Sequence, residues 1–355
     1  MKFNCRPGPR NLITDVENIA VGHAENTDVW TGTSVLLFET PAVASVDVRG
    51  GAPGTRDTDA LSPSCLTTHI DALVLSGGSV FGLGASSAIT DVLASRGIGL
   101  LIRTALAPIV PSAVLFDLLN GGNKDWGAQS PYADLGRSAL ENATLDFKLG
   151  NTGAGYGAKA GPFKGGVGST SAVSEDGLQV GAYVAVNSVG NPVMPGQACF
   201  WAWPFEQADE LGGQPLPKNA IDSVSLGENW TGSPLDSRTT HPGENTTLGV
   251  VATNARLSKA EALRVAIMAQ DGYARSIRPI HTPFDGDIVF AVSTGRWGAD
   301  NENRAELINR IGILAADCLA RAVARGVYEA SALGDAPAYR DICGKYLRKS
   351  ALIKG

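Results

Sequence analysis

The chain has 355 residues, 44% hydrophobic and 18% charged, with a net charge of -6 and an isoelectric point near 5.3. That balance gives no electrostatic reason for a nucleic-acid or anionic-membrane partner, and no stretch is long and apolar enough to span a bilayer. Five scattered cysteines without a Cys-x-x-Cys pair exclude a zinc ribbon or a disulfide framework, and the N-terminal stretch lacks the apolar core of a secretory signal, so a cytoplasmic protein with reduced thiols is expected.

Short apolar strands open the chain: TGTSVLLFET (31–40), AVASVDVRGG (42–51) and IDALVLSGG (70–78). The last runs into GSVFGLGASSAITDVLASRG, which has helical spacing and stops at Gly97, and then into another short strand, IGLLIR (98–103). A polar helix is expected around Asp134 to Glu141. A glycine-rich passage (150–171) then leads into a hairpin, STSAVS and LQVGAYVAVNSVG, turning at Glu175-Asp176-Gly177. Residues 206–245 are rich in Gly, Pro, Ser and Asn and read as an exposed linker or excursion. After them come a strand TTLGVVATN, a helix 258–277 with the capping box Ser258 and Glu261, a strand DIVFAVST and a helix from about Asn303 to Arg325. This irregular alternation, with hairpin signals, indicates a mixed α/β layered sandwich in a single domain rather than a βαβ series.

Several stretches are candidates for chemistry. In SGGSVFGLGA (76–85) the glycines follow the pattern Gly77-Gly78-xxx-Gly82-x-Gly84, which is not GxGxxG, and no acidic residue ends the next strand. Close helix–sheet packing is therefore expected there rather than a dinucleotide site. Asp285-Gly286-Asp287 reads either as a turn before a strand or as two carboxylates flanking a site, able to orient an amine or relay protons. Asn187, polar after an apolar run, is a turn residue or an oxyanion donor. Lys164 and Lys159 sit among glycines, either as surface lysines or as cations reaching a site. His23 and His281 show no metal-ligand spacing, and four histidines in all make a metal cluster improbable.

The junction of the loop-like stretch and the strand at ENTTLGVVATN is the sharpest signal. Asn245-Thr246-Thr247 matches a glycosylation sequon, and threonine suits a strand; the alternative is self-cleavage. In that scheme the Thr246 hydroxyl attacks the carbonyl of Asn245, and an N→O acyl shift followed by hydrolysis leaves Thr246 as a new N-terminus. Its hydroxyl is then the nucleophile and its α-amine, with a reference pKa of about 7.7–8.0, the base.

At these residues the chain resembles the self-processing L-aminopeptidase/D-esterase (β-peptidyl aminopeptidase) family, nearest its 6-aminohexanoate-oligomer endohydrolase (nylon hydrolase) branch. The resemblance rests on VDVRGGAPGTRDTDAL, LVLSGGSVFGLGA, GAGYGAKAGPFKGGVGS, VAVNSVG, ENTTLGVVATN and IRPIHTPFDGDIVFAVSTG. It implies an αββα four-layer sandwich like that of N-terminal-nucleophile hydrolases, and self-cleavage into an α-chain 1–245 and a β-chain 246–355. It also implies a homotetramer of αβ units and no metal or organic cofactor. By this resemblance Thr246 is the nucleophile, Asn187 the oxyanion donor, Lys164 or Lys159 the site lysine, and Asp285 and Asp287 the orienting pair. Phe116 departs from relatives that carry a tyrosine there. The expected activity is an amide hydrolase for small peptides, β-peptides or ω-amino-acid oligomers. An exo-acting aminopeptidase, an acyltransferase using the same threonine, and a non-catalytic binding protein remain as alternatives.

Overall fold

The structure, a computed structural model, describes residues 4–217, 245–298 and 303–347. Its strands begin with β1 (Cys5–Arg6), β2 (Ile19–Asn26), β3 (Thr31–Val48), β4 (Gly54–Arg56), β5 (Ile70–Ser76), β6 (Leu100–Ile102) and β7 (Ala105–Ala107). They continue with β8 (Ser112–Val114), β9 (Lys159–Ala160), β10 (Phe163–Lys164), β11 (Gly166–Ser174), β12 (Gln179–Val186), β13 (Leu248–Ala255) and β14 (Ile288–Trp297). The helices are α1 (Gly84–Ser95), α2 (Tyr132–Glu141), α3 (Lys259–Ala274), α4 (Arg304–Glu329) and α5 (Tyr339–Cys343).

Strand order runs β1-β11-β12-β13-β14-β3-β5-β8-β4, with β2 also on β3. The long β3 serves two sheets. Its C-terminal part, Val43–Val48, pairs with β14, while its N-terminal part pairs with β2 and β5, and the register shifts between Leu37 and Ala42. The stretches 31–40 and 42–51, expected as two strands, are thus one strand that turns from sheet to sheet around Pro41, a residue without an N–H to donate.

Period-two alternation sorts the core into layers. Tyr183, Ala185, Leu248, Val250, Ile288 and Phe290 face Leu36, Leu73 and Leu75 of the second sheet in one cluster. Their sequence neighbours Val184, Val186, Val251, Val289 and Ala291 pack instead with Val265, Ala269, Leu319 and Val323 of α3 and α4. Outside the second sheet, Val35, Ala72 and Val74 pack on Ile89 and Leu135 of α1 and α2. The result is the expected αββα sandwich, with strands that are apolar on both faces because both faces are covered.

Most boundaries follow local chemistry. Ser258 accepts the Glu261 N–H, completing the capping box of α3. Gly97, at φ +74°, sits just past α1. Helix α4 starts at its Asn303 cap as expected but continues to Glu329, because its last turns remain buried against the first sheet. The segment IGLLIR pairs only with β7, apart from the main sheets. Of the expected linker 206–245, residues 206–217 are docked: Leu211 is buried, Glu206 accepts N–H groups of Leu211, Gly213 and Gln214, and Glu210 forms a buried ion pair with Arg321 at 2.5 Å. The rest of that stretch, 218–244, lies outside the described residues. Among the described residues no helix is long and apolar enough to cross a membrane.

Candidate active site

Strand register gathers the candidates at one end of the first sheet. Antiparallel pairing of Ala185 with Leu248 brings Asn187, just past β12, beside Thr246, just before β13. Parallel pairing of Leu248 with Ile288 brings the Asp285–Asp287 turn alongside Asn245–Thr247, and an isolated parallel bridge joins Asn245 to Asp285. The alternation that turns Leu248 toward the second sheet places Thr246 on that side as well, with Thr247 toward the helices.

The peptide unit between Asn245 and Thr246 is held at both ends. The Thr246 N–H donates to the Asn187 backbone carbonyl at 2.6 Å, and the Gly286 N–H donates to the Asn245 carbonyl at 3.0 Å. The Thr246 hydroxyl lies 2.6 Å from the same Asn245 oxygen. A nucleophile candidate therefore sits against the carbonyl of its own preceding residue, and Thr246 is only 2% exposed.

Both carboxylates are fully buried and used as backbone acceptors. Asp287 accepts the Thr247 N–H through Oδ1 at 2.9 Å. Its Oδ2 accepts the His281 N–H at 3.0 Å and lies 3.0 Å from His281 Nδ1. Asp285 accepts from Val189 N at 3.2 Å and from the N–H and hydroxyl of Thr282 at 3.2 and 2.5 Å. Burial, with the Asp287 charge beside it, holds the Asp285 carboxyl above the usual carboxylate range.

Asn187 is oriented by two backbone groups: Oδ1 accepts the Lys159 N–H at 2.9 Å and Nδ2 donates to the Phe116 carbonyl at 3.0 Å. An amide nitrogen carries two hydrogens, so one beyond that bond remains to donate. The two lysines separate clearly. Lys164 is buried, with Nζ donating to the carbonyls of Gly155 and Gly165 at 3.0 and 2.7 Å, whereas Lys159 reaches outward to Asp335 at 2.6 Å. Burial brings the Lys164 ammonium down to about 7, against the opposing pull of the Asp117 charge. Among the described residues no hydrogen bond links Lys164 to Thr246; its bonds are to the backbone of the glycine-rich loop.

Asp117, His281 and Gly286 belong to this cluster although sequence reading gave them no role. Asp117 follows β8, on the second sheet, and accepts from the Thr31 hydroxyl at 2.6 Å and the Gly78 N–H at 2.8 Å; burial lifts its carboxyl to about 6. A carboxylate set inside an apolar run, between Phe116 and Leu118, was the available signal. The Gly77-Gly78 turn is packing, as expected: a Cβ on Gly77 would lie 2.2 Å from the Asp117 carboxylate, and Gly78, at φ +83°, has the Tyr132 ring 2.0 Å from where its Cβ would be.

A cavity of about 150 Å³ opens beside the cluster, lined by Phe116, Asp117, Leu119, Asn120, Gly157, Lys159, Asn187 and Asn245. A wider one of about 1010 Å³, with Arg6, Arg10, Glu17, Glu39 and Arg296 on its walls, shares none of these residues. The smaller cavity is the one whose wall includes Asn187 and Asn245.

The same architecture occurs in a β-aminopeptidase of Burkholderia sp., with a TM-score of 0.67 at 21% identity over 92% of this chain and 89% of that one. It recurs in the L-aminopeptidase D-Ala-esterase/amidase of Ochrobactrum anthropi, described as a variant of the Ntn-hydrolase fold, with a TM-score of 0.65 at 21% identity over 93% and 89%. These likenesses show the fold, which the second of them is described as sharing with Ntn hydrolases as a variant. By sequence, the chain is 41% identical to an uncharacterized aminopeptidase of Mycobacterium tuberculosis across 94% of its length and 98% of the relative's. It is 30% identical to a 6-aminohexanoate-oligomer endohydrolase of Kocuria sp. across 81% and 76%. The chain belongs to peptidase family S58, whose model matches residues 11–337, and is a peptide or amide hydrolase.

Proposed function

We propose that this hydrolase makes its own nucleophile by cleaving between Asn245 and Thr246, and then hydrolyses small amides through an acyl ester on Thr246. The observation that carries the reading is the Thr246 hydroxyl 2.6 Å from the Asn245 carbonyl oxygen, in a peptide unit hydrogen-bonded at both ends. The freed α-amine acts as general base, already aimed at the Asn187 carbonyl that holds it as an amide. The second Nδ2 hydrogen of Asn187 stabilises the substrate oxyanion. Asp287 fixes the backbone just after the nucleophile, Asp285 ties the facing turn to Val189 and Thr282, and Lys164 holds the glycine-rich loop that carries Gly155 and Gly165.

The two pieces would stay assembled after cleavage. Strands β13 and β14 lie in the sheet between β12 and β3, so the segment after Thr246 is flanked on both sides by strands that precede it. Departure of Asn245 would also remove one wall of the 150 Å³ cavity, opening room beside the new N-terminus. The substrates are small peptides, β-peptides or ω-amino-acid oligomers, a range supported by proteins named as an aminopeptidase, a β-aminopeptidase and a 6-aminohexanoate-oligomer endohydrolase.

A second reading, removal of single N-terminal residues, is favoured by the 41%-identical relative, which is named an aminopeptidase. Turnover of free-amine substrates but not of their N-acetylated forms would select it over internal cleavage. The test of the nucleophile itself is the intact mass of the purified chain beside Thr246→Ala. Fragments 1–245 and 246–355 in the wild type and an unbroken variant are expected; an unbroken wild-type chain would remove Thr246 from the mechanism.

A further inference from the structure

We infer that the Asp285-Gly286-Asp287 turn is the oxyanion hole of self-cleavage, with the Gly286 backbone N–H as a catalytic donor to the Asn245 carbonyl. This rests on Thr246 being the self-made nucleophile. The N–H donates to the carbonyl that the Thr246 hydroxyl faces, at 3.0 Å. As the hydroxyl oxygen bonds to the Asn245 carbonyl carbon, the carbonyl oxygen becomes an oxyanion, and Gly286 is in place to receive that charge. The C–N bond to Thr246 then breaks and the hydroxyl proton passes to the departing nitrogen, leaving an ester and an amine. Water finally splits the ester, restoring the hydroxyl and giving Asn245 a carboxylate.

Glycine is needed here for space rather than for conformation. Gly286 is not among the residues with positive φ, so its backbone angles suit other residues too. A Cβ at this position would, however, lie 2.6 Å from the Thr246 hydroxyl oxygen and 2.7 Å from the Ala52 carbonyl oxygen. Any side chain would push into the nucleophile. The flanking carboxylates have matching work: Asp285 ties the turn to Thr282 and Val189, and Asp287 ties it to Thr247 and His281. They are positioning residues for a donor that must already point correctly before charge develops.

Asn187 does not fill this place. Its side chain bonds to Lys159 and Phe116 and not to the Asn245 carbonyl, and its bond to the scissile unit is through its backbone carbonyl to the Thr246 nitrogen. Self-cleavage and substrate turnover therefore draw on different donors.

The test replaces Gly286 by glycolate, which changes the amide N–H to an ester oxygen and leaves the shape of the turn, alongside Gly286→Ala, which fills the space. Conversion of the full chain into fragments 1–245 and 246–355 is followed by intact mass, with thermal melts of both variants to confirm folding. The glycolate chain is expected to process about 100-fold more slowly or worse, the usual loss on deleting one oxyanion donor. Wild-type chain treated with hydroxylamine should break faster at the 245/246 ester, whereas Gly286→Ala should not respond; the glycolate chain, which carries its own backbone ester before residue 286, is left out of this step. Glycolate chain processing at the wild-type rate would overturn the inference and leave Thr246 untouched. Wild-type chain that never processes would instead overturn the nucleophile reading on which the inference stands.

Discussion

Asp287→Asn separates holding the nucleophile from holding the fold. The replacement keeps size and shape but exchanges one acceptor oxygen for an NH2. Asp287, itself fully buried, now satisfies the N–H groups of Thr247 and His281 and faces the His281 imidazole. The amide oxygen can serve one of those two N–H groups; the other then meets a second donor and is left buried and unpaired. An orphaned buried donor costs about 1–3 kcal/mol. For 355 residues the unfolding entropy is roughly 0.75 kcal/mol/K, so the melting temperature should fall by about 1–4 °C, a modest change. Processing should suffer far more, because the Thr247 N–H adjoins the scissile unit and sets where the Thr246 hydroxyl lies. The assay is a melt together with intact mass over hours at neutral pH. A small drop in melting temperature with processing at the wild-type rate would refute the assignment, reducing Asp287 to a structural acceptor. A drop of tens of degrees would refute the local account of its energetics.

Asn187→Ala keeps the backbone carbonyl that holds Thr246, so it should still process, yet lose about 100-fold or more in kcat on a small amide substrate. Unchanged kcat in processed variant would exclude the side chain as oxyanion donor. Lys164 is predicted to leave a mark on stability: its ammonium is held near 7 when folded, against about 10.4 in an unfolded chain. Between those values the unfolded chain binds more protons, so stability should rise with pH through that window. Urea denaturation at pH 7, 8 and 9 should show this rise in the Thr246→Ala chain and a flatter one once Lys164→Met is added. Parallel curves would mean that the lysine is solvated.

Much of the architecture was legible in local sequence because its signals are local. The Ser258 and Glu261 cap, the Gly97 stop and the turn at Glu175–Gly177 each act within a few residues, and each marks a real boundary. Where the reading differed, the deciding contacts came from far along the chain. The single strand β3 exists because its two ends pair with β14 and β5, and residues 206–217 are docked because Arg321 waits for Glu210 on α4.

The site divides in the same way. Residue type and the abrupt loop-to-strand change singled out Thr246, while Asn187 and the two aspartates were polar groups at strand ends that could also be read as turn residues. Choosing between Lys164 and Lys159 needed burial, which no residue among glycines can announce. Gly286 carried no chemical signal at all, since a backbone N–H is common to nearly every residue. Only the parallel register of β13 and β14 aims that N–H at the Asn245 carbonyl, and only the Thr246 hydroxyl beside it explains why the position must lack a side chain. The sequence by itself determined which groups were available and which strands would be covered on both faces; tertiary pairing decided which of those groups meet, because register and burial are properties of strands brought together from distant parts of the chain.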